Sequence, residues 1–197
     1  MGISDTDTIV VYDGMGLFSA ARAWWNFRIM GAQSVFILDG GFPAWKAAGY
    51  ATSDETPHPA LKSFKAIFNA AAVRSKEEVL KILESKSAQL VDSRPADRFS
   101  GAAPEPRPGL RSGHIPGAKS MPFPTFAEDG KLKDVNALKA MFEDRGIDVA
   151  APVVASCGSG VSAALVDLAL ASIGAPDHAV YDGSWAEWGL PGDTPVE

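Results

Sequence analysis

The sequence predicts an α/β protein built on a doubly wound parallel sheet flanked by helices, comprising one complete domain plus the back half of a second copy. Three observations carry that prediction. Short β-type apolar runs alternate with segments of helical period along the chain. Val10–Gly49 recurs as Val153–Gly192 without a gap, with identities at Val10/Val153, Val11/Val154, Ser19/Ser162, Ala20/Ala163, Ala21/Ala164, Gly31/Gly174, Ala32/Ala175, Asp39/Asp182, Gly40/Gly183, Trp45/Trp188 and Gly49/Gly192. Finally, the only cysteine, Cys157, opens a small-residue loop between a strand and a helix, where open α/β sheets place their sites.

The elements follow in order. Ile9–Tyr12 reads as a strand, Asp13-Gly14-Met15-Gly16 as a turn, and Ser19–Met30 as a helix stopped by Gly31. Ser34–Leu38 is a second strand, and Phe42–Ala48 a short helix ending at Gly49. Trp24, Trp25 and Trp45 are expected in packing rather than on a stacking platform. Ala51–Lys65, with Pro57 and Pro59 and no sustained period, reads as a linker. Ser75-Lys76-Glu77-Glu78 is a capping box for a helix whose apolar face is Val79, Leu80, Ile82 and Leu83. Leu90–Val91 is a buried strand ending at Asp92-Ser93-Arg94, and Arg98–Gly113 is a loop rich in Pro, Gly and Arg. A short strand near Ser120–Pro122, a helix through Leu138, Met141 and Phe142, strand Val153–Ala155, helix Ser162–Ile173, strand Ala179–Tyr181 and a helix around Trp185–Trp188 complete the chain. The expected units are 1–50, a partial and inactive repeat, 51–66, a linker, and 67–197, the catalytic domain. The second copy has related chain from Ile67 before its loop strand, whereas the first has only Met1–Thr8, so the front of the first copy is expected to lie before Met1.

Composition narrows the function classes. Apolar content of 46% and charged content of 21% fit a globular protein with a proper core. A net charge of −6 argues against nucleic acid or anionic membrane as a partner. One cysteine excludes internal disulfides, and the three histidines, His58, His114 and His178, have no metal-ligand spacing, so neither metal nor cofactor is expected. No apolar run approaches the roughly 18 residues that span a bilayer, and Met1–Thr8 is too polar for a signal peptide. A free thiol in such a chain points to the cytoplasm.

The loop Cys157-Gly158-Ser159-Gly160-Val161-Ser162 sits at the start of a helix, where unpaired N–H groups and the helix dipole favour an anion. Cys157 is therefore read as a nucleophilic thiolate rather than an inert core residue. Its counterpart in the first copy is Gly14, so that loop has no nucleophile. Residues at the carboxyl ends of the strands, Asp92, Arg94, Cys157 and Asp182-Gly183, are expected to converge on one site.

CGSGVSA, the SRPADRF…EPRPGLRSGHIPGA block and the YDGSWAEWG ending together resemble the C-terminal domain of the two-domain 3-mercaptopyruvate sulfurtransferases of the rhodanese superfamily. The likeness covers essentially the whole chain, with Met1–Gly49 resembling the back half of that family's inactive N-terminal domain. It implies a rhodanese-like sheet and a reaction in which Cys157 takes sulfur from 3-mercaptopyruvate, releases pyruvate and carries a persulfide. A thiol, thioredoxin or cyanide then accepts the sulfur. Arg98 and Arg107 match the family arginines that hold the substrate's carboxylate and carbonyl, and a guanidinium fork suits a planar α-keto acid. Their bland alternative is a loop charge or a salt bridge to Asp97 or Glu105. Ser159 matches the serine beside the thiolate, and Gly158, Gly160, Val161 and Ser162 match the rest of the substrate-binding loop, with Ser162 replacing the usual threonine. Arg94, Arg111 and His114 are expected to be structural.

Neutral Gly158 and Ser159 favour mercaptopyruvate over thiosulfate, whose enzymes carry cations directly after the cysteine. Ala163 stands where a cysteine phosphatase needs its phosphate-clamping arginine, which disfavours that chemistry. Two alternatives stay open, a thiosulfate sulfurtransferase and a non-catalytic rhodanese-like binding module. The acidic residue and histidine that the family's N-terminal domain is thought to lend to the cleft would precede Met1.

Overall fold

The computed structural model describes residues 2–197; Met1, the first residue of the expected partial repeat, lies outside them. The chain opens with β1 (Thr8–Val11), α1 (Ala20–Ile29), β2 (Ser34–Ile37) and α2 (Gly41–Ala47), and β1 and β2 pair in parallel as a two-stranded sheet. Residues 50–69 have no regular structure but stay against this first unit: Lys62 pairs with Asp7 at 2.8 Å, and the Ile67 N–H donates to the Met30 carbonyl at 2.9 Å.

The second unit holds a five-stranded, all-parallel sheet in the order β3-β9-β8-β4-β5. Its elements are β3 (Val73–Arg74), α3 (Lys76–Ser85), β4 (Gln89–Asp92), α4 (Ala96–Phe99), β5 (Lys119–Ser120), the hairpin β6 (Ala127–Glu128) and β7 (Lys131–Leu132), α5 (Val135–Asp144), β8 (Val153–Ser156), α6 (Ala163–Ser172), β9 (His178–Tyr181) and α7 (Ser184–Trp188). The Ser75–Glu78 capping box that starts α3 is formed in both directions, at 3.3 and 2.7 Å, and Val79 and Ile82 are the buried face of that helix. Asp134 caps α5 through the N–H groups of Asn136 and Ala137. Helices cover both faces, as a doubly wound sheet requires. One core joins α5 and α6 to Val91, Val153, Ala155 and Val180, and the opposite core joins α3 and α7 to Leu90, Val154 and Tyr181.

The two units share a core. Leu17, Ala21, Trp24, Trp25 and Ile29 of the first unit are buried with Leu165, Val166, Ala169 and Leu170 of α6. Small residues at Ala21, Ala163 and Ala164, each 0% exposed, leave room for the tryptophans. Shifted by 143 positions, α1 coincides with α6 at both ends, Ala20 with Ala163 and Ile29 with Ser172. Several features depart from the sequence reading. Ala96–Phe99 is a helical turn overlapping the expected loop, β3 and the β6–β7 hairpin carry too few apolar residues to announce themselves, and Trp45 is 37% exposed against Tyr50 rather than packed inside.

Candidate active site

β8 lies between β4 and β9, and the chain leaves β4 towards one edge of the sheet and β8 towards the other. The loops after these strands therefore part and leave a crevice at their carboxyl ends. The Ser93 N–H donates to the Ser156 carbonyl at 2.9 Å, and the hydroxyls of Ser93 and Ser162 lie 2.9 Å apart, tying the loop after β4 to the start of α6. Ser162 thus turns its hydroxyl to Ser93 instead of capping α6.

Cys157 sits at the head of the second loop and is 2% exposed. Its N–H donates to Ser184 Oγ at 3.1 Å, while its carbonyl and that of Gly158 accept the N–H groups of Trp185 and Ala186, each at 2.9 Å. The first turn of α7 thereby holds the backbone that carries the sulfur. The Ser159 N–H donates to Cys157 Sγ at 3.4 Å, and Ser184 Oγ lies 3.9 Å from it. The Ser159 N–H, with the positive end of α6, favours negative charge on that atom, while the Ser184 hydroxyl gives its proton to the Tyr181 carbonyl at 2.8 Å. Gly160 has φ +78°, and a Cβ there would lie 2.7 Å from both Arg22 Nη1 and Asp182 Oδ1, so only glycine closes this turn.

Cations reach the loop from α4. Arg98 Nη2 lies 3.1 Å from where a Cβ of Gly158 would stand. Arg98 is also bound to Glu105, through Nε at 3.2 Å and through Nη2. Glu105 is 2% exposed and accepts a second bond, at 2.8 Å, from Arg94, which is itself 1% exposed, doubly bonded to Asp92 and stacked on Trp185 at 4.1 Å. Two arginines and two carboxylates balance, so the network is electrically neutral and Arg98 Nη1 is the group left without a protein partner among the described residues. The ion pair to Glu105 fixes the guanidinium beside the loop rather than drawing it away.

Cys157, Gly158, Ser159, Gly160, Val161 and Ser162 form one loop, with Gly160 buried and Ser159 exposed, its hydroxyl directed to no protein partner among the described residues. Asp92, Arg94 and Asp182 converge there as the sheet topology implies. Arg107 is exposed and forms no ion pair or hydrogen bond among the described residues. Arg111 is structural, binding the carbonyls of Trp188 and Thr194 at 2.8 Å, and His114 is stacked on Phe99 with Nδ1 3.0 Å from its carbonyl oxygen. Ser184, Arg22 and Ser93 reach the loop without having been singled out; for Ser184 the signal was its place directly after Asp182-Gly183.

The corresponding loop of the first unit is occupied from within. Asp13 accepts the N–H groups of Met15, Phe18, Ser19 and Ala20 at 2.7–2.9 Å, so its carboxylate stands at the start of α1 as an internal anion. Burial pushes the Asp13 carboxyl up, but the four N–H groups outweigh it and hold its pKa below the ordinary carboxylate value.

The sequence matches the rhodanese-like domain over residues 1–48 and 75–190. It is 43% identical to the 3-mercaptopyruvate sulfurtransferase of Escherichia coli (strain K12) over 197 residues, all of this chain and 70% of that protein. It is 46% identical to the thiosulfate sulfurtransferase of Bos taurus over 192 residues, 95% of this chain and 65% of that one. Among solved structures, SseA from Escherichia coli, described as a 3-mercaptopyruvate sulfotransferase of rhodanese fold, superposes with a TM-score of 0.85 and 40% identity, over 93% of this chain and 69% of that one.

Proposed function

This chain belongs to the rhodanese-like family, and from that premise we propose that it is a sulfurtransferase that takes sulfane sulfur from 3-mercaptopyruvate onto Cys157 and passes it to a thiol, a thioredoxin-type protein or cyanide. The observation that carries this reading is the pairing of the Ser159 N–H with Cys157 Sγ at 3.4 Å, next to an Arg98 guanidinium whose Nη1, 4.0 Å from where a Cβ of Gly158 would stand, has no protein partner among the described residues. One holds the nucleophile and its persulfide; the other offers a planar donor to a monocarboxylate.

In the first half-reaction the Cys157 thiolate attacks the sulfur of the donor. The carbon–sulfur bond breaks, its electron pair passes to the carbon as pyruvate enolate, and that carbon takes a proton. The enzyme is left as Cys157–S–SH. In the second half-reaction an acceptor thiolate attacks the outer sulfur, and Cys157 departs as thiolate. Arg98 and Arg107 orient the donor's carboxylate and carbonyl, the loop of Gly158, Gly160, Val161 and Ser162 lines its site, and the Ser159 hydroxyl relays the proton. Residues 67–197 are the catalytic domain and 1–50 the partial repeat, joined by 51–66, and the reduced thiol suits the cytoplasm. No helix among the described residues is long and apolar enough to cross a membrane.

A thiosulfate donor is the competing assignment, favoured by the 46% identity to a thiosulfate sulfurtransferase. The uncharged side chains at Gly158 and Ser159 weigh against it, since a dianion gains most from cations next to the attacking sulfur. Intact-mass measurement after exposure to 3-mercaptopyruvate tests the proposal. Gain of one sulfur atom by the protein, absent from Cys157→Ser, is the expected result; no adduct with 3-mercaptopyruvate, or a faster adduct with thiosulfate, overturns the assigned donor.

A further inference from the structure

Arg22 lies on α1, in the first unit, yet its guanidinium ends on the cysteine loop of the second. Nη1 donates to the Gly160 carbonyl at 3.2 Å and to Asp182 Oδ1 at 2.5 Å, while the guanidinium carbon lies 4.5 Å from the centroid of the Trp25 ring. Three features distinguish this from a surface ion pair. The stacking on buried Trp25 fixes the guanidinium before it meets either acceptor. Gly160, at φ +78°, lacks the Cβ that would strike Arg22 Nη1 and Asp182 Oδ1, so the loop conformation and the clasp require each other. The contact also has no counterpart within the repeat. The residue aligned with Arg22 is Leu165, buried in the core, and the residue aligned with Asp182 is Asp39, whose one ion pair among the described residues is with Lys131 at 3.7 Å.

The peptide joining Gly160 to Val161 is trans, so its C=O and N–H point in opposite directions. A carbonyl held by Arg22 therefore also fixes the direction of the Val161 N–H, one of the loop amides opening onto α6. Because Arg22 and Asp182 cancel each other's charge, the clasp acts on orientation more than on the net field at the sulfur. We propose that Arg22 is a positioning residue for the Cys157 loop, by which the first unit, without a nucleophile of its own, sets the sulfur-binding geometry of the second. The inference rests on the sulfurtransferase reading for its consequence in turnover, though not for the geometry.

The test compares Arg22→Met, Arg22→Lys and Asp182→Asn in the full chain, measuring thermal midpoint, kcat and KM with 3-mercaptopyruvate, and the rate of Cys157 alkylation by iodoacetamide. Arg22→Met is expected to lower kcat and the alkylation rate about tenfold with KM nearly unchanged, as misplacement near a reacting atom does. Arg22→Lys, still able to reach the Gly160 carbonyl, recovers part of both. A folded Arg22→Met protein with wild-type kcat and alkylation overturns the proposal and leaves the clasp as an interface contact. If Arg22→Met fails to fold, Arg22→Lys and Asp182→Asn decide: reduced alkylation and kcat in both at wild-type thermal midpoint support positioning, and wild-type rates in both overturn it. Because alkylation needs no sulfur donor, a wild-type protein that takes no sulfur while Arg22→Met still slows alkylation would sink the donor assignment and leave the positioning role standing.

Discussion

Ser184 Oγ accepts the Cys157 N–H at 3.1 Å from a backbone held at φ +52°, a left-handed conformation that side chains other than glycine adopt at a cost. The same hydroxyl donates to the Tyr181 carbonyl at 2.8 Å. A serine thus stands where glycine would be the easier residue, and its hydroxyl is the return for that strain: it partners an otherwise orphaned N–H under the reactive sulfur.

Replacing Ser184 by Ala keeps the strained backbone and orphans the buried Cys157 N–H, which should cost about 1–3 kcal/mol of stability. Ser184→Gly loses the same bond but relieves the backbone, and should be more stable than Ser184→Ala by about 1 kcal/mol. Urea midpoints of the two variants check the order; equal midpoints would show that the φ carries no cost.

Arg98→Ala should lower kcat/KM for 3-mercaptopyruvate by about 2 kcal/mol, the worth of a charge-assisted hydrogen bond to a carboxylate. Thiosulfate, which lacks the carboxylate, should suffer less. Parallel kinetics with the two donors measure the difference, and equal losses would contradict the assignment of Arg98 as carboxylate clamp.

Glu105→Gln leaves Arg94, 1% exposed, with one fewer anion and releases Arg98 from its tether. A destabilisation of about 3 kcal/mol is expected for breaking a buried pair from one side. Arg94 stays paired to Asp92, so the fold should survive and a raised KM for 3-mercaptopyruvate should accompany the loss.

The Asp13 carboxyl has its pKa lowered in the folded protein relative to the unfolded chain. Its contribution to stability is therefore complete above the unfolded value of about 4 and is lost as the pH falls from there through the folded value. Asp13→Asn should be less stable than wild type at neutral pH, and the gap should narrow below about pH 4. Denaturation at the two pH values reads this directly, and a gap that widens in acid would reverse the sign.

Trp25→Ala should cost about 3–5 kcal/mol, because the ring is 2% exposed in the core shared by α1 and α6. Unfolding of the wild type should be a single transition by both tryptophan fluorescence and far-ultraviolet circular dichroism. Two separated transitions would mean that the first unit melts on its own.

Much of this was legible in the chain. Helix α6 starts at Ala163, one residue after the expected Ser162, because the small-residue loop and Gly174 bracket an apolar run interrupted only by Asp167. The capping box at Ser75 and the strands β4 and β8 were equally plain. By contrast β3, with two residues, owes its pairing to β9, distant in sequence, the β6–β7 hairpin has two residues per strand and no run of apolar residues to mark it, and Trp45 lies on the surface although its counterpart Trp188 is fully buried.

By itself the sequence determined the alternating architecture, the internal repeat, and a lone cysteine in a glycine-bracketed loop at a helix start, because each is written in residues a few positions apart. Only the tertiary structure decided that Arg22 of the first unit and Ser184 of α7 hold that loop, that Glu105 links Arg98 beside it to the buried Arg94, and that Asp13 fills the loop lacking a cysteine. These contacts join segments up to 138 residues apart in the chain, and spacing along a sequence carries no information about a distance that packing alone sets.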